Sequence, residues 1–117
     1  MIYTIVGTEK EKREKASKKF SELGAVSAVI YSEQIATLEA LISATSLFGD
    51  RIVVQLIQTM DVASSKEEVV RLLPDMKESS TVFIIDEPFA DANRVTRLTK
   101  YSEQLIDARE EKEKGTD

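Results

Sequence analysis

The apolar run Val82-Phe83-Ile84-Ile85 ends in two carboxylates, Asp86 and Glu87. A buried strand that delivers an acidic pair to its carboxyl end is how phosphate-transferring ATPases hold magnesium and orient the attacking water. That chemistry needs a second half, in which glycines let the backbone approach a phosphate and a Lys is followed by Ser or Thr. The first turn of the chain does not supply it. Gly7 is followed by Thr8, Glu9, Lys10 and Glu11, and two carboxylates already occupy the positive end of the ensuing helix dipole, where a triphosphate would compete with them. The acidic pair is therefore read as a solvated strand end. A magnesium- and phosphate-dependent regulatory nucleotide-binding domain that uses Asp86 and Glu87 is the alternative function.

Composition narrows the chemistry further. The 117 residues contain no His and no Cys, which removes imidazole bases, thiolate nucleophiles, structural zinc and most transition-metal sites. The remaining carboxylates, lysines, tyrosines and hydroxyls form no catalytic constellation, so a non-catalytic domain with no cofactor and no metal is expected. A net charge of −5 opposes phosphate backbones at long range. Lys10, Lys12, Arg13, Lys15, Lys18 and Lys19 crowd one segment, but Glu9, Glu11, Glu14 and Glu22 are interleaved with them. Mixed signs make a solvated helix face, with weak DNA-backbone contact as the minor reading. No apolar run approaches the ~18 residues of a membrane span, and the opening residues lack a signal-peptide pattern, so no membrane partner and a cytoplasmic location are expected.

Periodicity places these residues on elements. Ile2–Val6 reads as a buried first strand. A helix capped by Thr8 and Glu11 follows, with Ala16, Phe20 and Leu23 facing inward and Gly24 as the stop. A second strand is expected over Ala25–Tyr31. Ser32 would cap a helix whose inward stripe is Ile35, Leu38, Leu41 and Ile42, ending near Thr45. Ile52–Ile57 is the third strand. Ser65 and Glu68 suggest another capping box, followed by Val69, Leu72 and Leu73, with Pro74 discouraging continuation. After the fourth strand, Val82–Ile85, a last helix from Asp91 would carry Val95, Leu98, Tyr101 or Ser102, and Leu105 on one side. Four strands alternating with four helices predict an α/β domain over residues 1–108, a three-layer α/β/α arrangement with a mostly parallel sheet, and a charged, frayed tail over 109–117.

Thr45-Ser46-Leu47-Phe48-Gly49-Asp50-Arg51 is the most informative segment. It joins the second helix to the third strand, where a polar surface loop is the rule, yet it carries two adjacent bulky apolar residues. Leu47 and Phe48 either fold back to plug the end of the sheet or protrude as a two-residue anchor. Each such side chain buried in a partner's pocket would contribute about 1.5–3 kcal/mol from area alone.

Three stretches resemble the amino-terminal domain of the delta subunit of the bacterial DNA polymerase III clamp loader: Ile2-Tyr3-Thr4-Ile5-Val6-Gly7; Ser46-Leu47-Phe48-Gly49-Asp50-Arg51 running into Ile52-Val53-Val54; and Leu72-Leu73-Pro74 through Thr81-Val82-Phe83-Ile84-Ile85-Asp86-Glu87. The resemblance implies a fold like that of the P-loop NTPases and AAA+ proteins but without a phosphate-binding loop. It further implies that Leu47 and Phe48 insert into a hydrophobic pocket on the ring-shaped sliding clamp, the beta subunit, with Ser46 and Gly49 shaping the turn that presents them. In that family a small second domain and a helical collar contact the other clamp-loader subunits. Nothing here corresponds to either, so the chain is expected to be an excised domain or a short relative that retains clamp binding without assembly into the loader.

Overall fold

Five parallel strands make the sheet. The computed structural model describes residues 1–44 and 51–109. Within them β1 (Ile2–Val6), β2 (Ala28–Ile30), β3 (Val53–Ile57), β4 (Val82–Glu87) and β5 (Gln104–Asp107) line up in the order β2-β3-β4-β1-β5. All four pairings are parallel, with Ile5 opposite Asp86 and Val6 opposite both Glu87 and Asp107. The central strands bury both faces, which is why β4 reads as an unbroken apolar run in the sequence.

Helices α1 (Lys10–Phe20), α2 (Leu38–Ile42), α3 (Ala63–Glu78) and α4 (Ala92–Tyr101) complete three layers. Side chains alternate across each strand. On one face Ile2, Val6, Val54, Leu56, Phe83 and Ile85 pack under Leu38 of α2, the α3 stripe Val69, Leu72, Leu73 and Met76, and Leu98 of α4. On the other, Ile5, Val53, Val82 and Ile84 pack under Ala16 and Phe20 of α1. The Phe20 ring meets Tyr3 edge-on at 5.5 Å. One helix therefore covers the second face, and a groove of about 340 Å³ lies open between α1 and the β2 side, lined in part by Phe20, Val26, Gln55 and Ile84.

Several local expectations need correction. Strand β5 takes Leu105, which the sequence assigned to the last helix. That helix stops at Tyr101, because Ser102 is extended and its hydroxyl meets Thr4 Oγ1 at 2.7 Å. The sheet thus gains a fifth strand beside β1. Strand β2 is shorter than Ala25–Tyr31 because it lies at the sheet edge and pairs only with β3. The segment after it starts as a 3₁₀ helix, Ser32–Thr37, before the α-helical turn of α2. There polar side chains compete for the backbone: the Tyr31 amide donates to Gln34 Oε1 at 2.9 Å and Thr37 Oγ1 donates to the Gln34 carbonyl at 2.8 Å.

Glu9, not Thr8, caps α1, and Val62, not Ser65, precedes α3. Ser65 is instead buried one turn down, its hydroxyl directed to the carbonyl of Thr59. Helix α3 also runs through Pro74 to Glu78. Burial of Val69, Leu72, Leu73 and Met76 on both sides of the proline outweighs the lost hydrogen bond.

Candidate functional site

Because every strand runs the same way, the two candidate regions from the sequence attach to opposite edges of the sheet. Asp86 and Glu87 end β4 at the carboxyl edge, whereas Thr45–Asp50 joins α2 to the start of β3 at the amino edge. The predicted anchor residues Ser46, Leu47, Phe48 and Gly49 lie outside the described residues. Their attachment points do not. At the end of α2, Thr81 Oγ1 donates to the Leu41 carbonyl at 2.9 Å and the buried Ser79 hydroxyl donates to the Ile42 carbonyl. At the start of β3, the Val82 amide donates to the Ile52 carbonyl at 2.9 Å, and the Ser27 amide donates to the Val53 carbonyl at 2.7 Å. Both stems are thus fastened to the same α3–β4 junction, with hydroxyls donating to carbonyls at the end of α2.

The carboxyl edge is occupied by the protein itself. Gly7 turns the chain with φ of +94°, its amide donating to the Glu87 carbonyl at 3.3 Å. The Glu9 carboxylate then accepts from the amides of Glu11 at 3.1 Å and Lys12 at 2.8 Å. These are the donors a phosphate would use, and their bonds, that from Lys12 foremost, hold the Glu9 carboxyl below its ordinary range. The backbone after β5 closes over the turn. The Glu9 amide donates to the Ala108 carbonyl at 2.7 Å, and the Ala108 amide to the Val6 carbonyl at 2.6 Å. A Cβ on Gly7 would stand 2.2 Å from both Ala108 C and Arg109 N.

Two arginines engage the acidic pair. Arg13 lies one turn into α1, three residues before Ala16 and seven before Phe20, so it shares their inward stripe. Its Nη2 meets both Asp86 oxygens at 2.7 Å and its Nη1 donates to the Gly7 carbonyl at 2.6 Å. Arg94 stands four residues before Leu98 on α4, and its Nη1 donates to Asp61 at 2.8 Å and to Glu87 at 3.2 Å. Burial is the first cause that raises the Glu87 carboxyl to about 7, with Asp61 and Asp86 adding repulsion while the Met60 amide and Arg94 oppose it. The sequence reading missed both arginines as partners of the pair, although their helical spacing to Ala16 and Leu98 marks them as inward-facing. Among the described residues no group of three acidic side chains comes together in a way that could hold a metal ion.

The lysine-rich helix divides its charges as well. Arg13 turns in to Asp86, while Lys15 pairs with Glu11 at 3.6 Å on the exposed face. No helix among the described residues is long and apolar enough to cross a membrane. No protein-family model matches the sequence, and no curated protein matches it.

Proposed function

We propose that this α/β domain is a non-catalytic, clamp-loader delta-like module of DNA replication that binds the sliding clamp through Leu47 and Phe48, with Ser46 and Gly49 shaping the turn. The observation that carries this reading is the double fastening of the stems: the carbonyls of Leu41 and Ile42 are held by Thr81 and Ser79, and Ile52 by the Val82 amide. These bonds fix where the chain leaves α2 and where it enters β3, so the segment between them departs from and returns to the amino edge of the sheet. The resemblance of Ser46-Leu47-Phe48-Gly49-Asp50-Arg51 to the delta family supplies the partner, and the all-parallel five-stranded sheet agrees with the AAA+-like fold it implies. In this reading the domain works in the cytoplasm, joins other loader subunits only as part of a longer chain, and makes at most weak contacts to the DNA backbone through α1.

The test is a pull-down on a sliding clamp. The Leu47→Ala/Phe48→Ala double variant should lose binding while its circular dichroism and melting temperature stay near those of the parent, because an exposed anchor contributes to affinity and not to the core. A double variant that unfolds would show the pair to be core and end the proposal.

The alternative, a magnesium- and phosphate-binding regulator, would require Asp86 and Glu87 to leave Arg13 and Arg94 and the Glu9 carboxylate to vacate the α1 amides. Calorimetric titration with ATP or GTP and magnesium separates the two readings. No binding heat is expected, and micromolar affinity would favour the alternative.

A further inference from the structure

Of the two edges of the sheet, one is guarded by charge and the other is not. β5 ends in Asp107, with Glu103 before it and Arg109 after, and Arg109 clasps Asp107 at 2.7 Å. Charges so placed keep another strand from pairing. At the opposite edge, β2 pairs only with β3 among the described residues. No charge and no proline interrupts Leu23 through Ser32, and there Val26, Val29 and Tyr31 are 46%, 42% and 47% exposed.

The ladder fixes what this edge presents. The Val82 amide donates to the Ile52 carbonyl and the Gln58 amide to the Asp86 carbonyl, so the even-numbered residues of β3 face β4 and Gln55 faces β2. Of two register partners in a parallel ladder only one faces the other strand, so Val29, opposite Gln55, turns its amide and carbonyl to the open edge. Its side chain lies on the α1 face, because Ala28 and Ile30 pack into the opposite core. Tyr31, still extended, follows it on that face. Beside them lies the groove of about 340 Å³, and none of its lining residues is charged.

We propose that this edge is a dimer interface: two copies of the chain pair β2 with β2 antiparallel about a two-fold axis at Val29, joining their five-stranded sheets into one. The occupant is a second copy because the edge complements itself. The axis sets Val29 against its own copy as a pair that exchanges both backbone hydrogen bonds, and it sets Tyr31 opposite Ser27 of the partner copy. There Ala25 and Val26 line the groove, so the exposed ring of each copy enters the hollow of the other, as an isologous contact requires. No like charges meet along the edge, although each copy carries a net charge of −5. With a strand of three residues the contact belongs to the small end of specific interfaces, and dissociation in the micromolar range is expected. The pairing is independent of the Leu47–Phe48 anchor.

Sedimentation velocity on the intact chain tests the dimer. From about 1 to about 300 μM the apparent mass should rise from 13.1 kDa toward twice that value. Val29→Lys sets an ammonium against its own copy and should stay monomeric throughout, with an unchanged circular dichroism spectrum because the position is exposed. Tyr31→Ala should weaken association about tenfold. Hydrogen exchange adds a readout that needs no variant: the Val29 amide gains a carbonyl partner in the dimer, so its exchange should slow as concentration rises. A parent chain that remains monomeric at about 300 μM, a Val29→Lys chain that associates as the parent does, or a dimer in which Val29 exchange is unchanged would each overturn the proposal. If Val29→Lys fails to fold, the concentration dependence of Val29 exchange decides.

Discussion

Gly7→Ala should destabilise the domain by about 4 kcal/mol and lower its melting temperature by roughly 20 °C. Two effects add. Alanine resists a φ of +94°, a region that costs of order 1–3 kcal/mol for a residue with a Cβ. The new methyl would also stand 2.2 Å from Ala108 C and Arg109 N. These are backbone atoms and cannot swing aside as a side-chain tip does, so the chain after β5 must lift from the turn. With it go the bonds from the Glu9 amide to Ala108 and from the Ala108 amide to Val6. Urea unfolding measures the loss, and amide exchange of β5 locates it. A Gly7→Ala protein that melts with the parent would mean the segment after β5 does not seal this turn.

Arg13→Ala carries the second largest expected effect, a loss of about 3 kcal/mol. The guanidinium holds Asp86 with two bonds and the Gly7 carbonyl with a third. Removing it leaves a carboxylate only 12% exposed without its counter-charge. An unpaired charge costs more than an absent pair, so Arg13→Ala/Asp86→Ala should be more stable than Arg13→Ala alone. Arg13→Lys should fall between, since an ammonium keeps the charge but cannot span both carboxylate oxygens and the carbonyl. Chemical denaturation of the parent, Arg13→Ala, Asp86→Ala and the double variant closes the cycle. A double variant no more stable than Arg13→Ala would show that the pair does not act as a unit.

These two residues also mark how far the sequence could be read. β1, β3 and β4 are visible because strands buried on both faces are largely apolar, broken only by Thr4 in β1 and Gln55 in β3 before the acidic end of β4, and α1 and α3 because Ala16, Phe20, Val69, Leu72 and Leu73 recur at helical spacing. β5 was hidden because Leu105 continues the spacing of Val95 and Leu98, while its own apolar content is the doublet Leu105-Ile106. Whether such a doublet ends a helix or starts a strand is settled by an open edge on β1, a tertiary fact.

The acidic pair was legible as residues but not as a site. The Asp86 partner lies 73 positions earlier in the chain, and no local pattern encodes so distant a contact. Absence of a phosphate loop was legible, since glycines and a Lys-Ser or Lys-Thr step are matters of composition. Its replacement by the Glu9 carboxylate was half legible, as an acid at the start of a helix, while closure by Ala108 required the fold.

The strand order has a consequence for synthesis. β1 is made first and sits in the interior of the sheet, but its neighbours β4 and β5 are the last two strands made. On the ribosome, both edges of Ile2–Val6 stay bare until Glu87 has emerged, and one stays bare until Asp107 has. An unpaired, β-branched strand is a template for stray association, and pairings across so long a stretch of chain form slowly. The nascent domain thus passes through a lengthy interval in which this strand has no native mate.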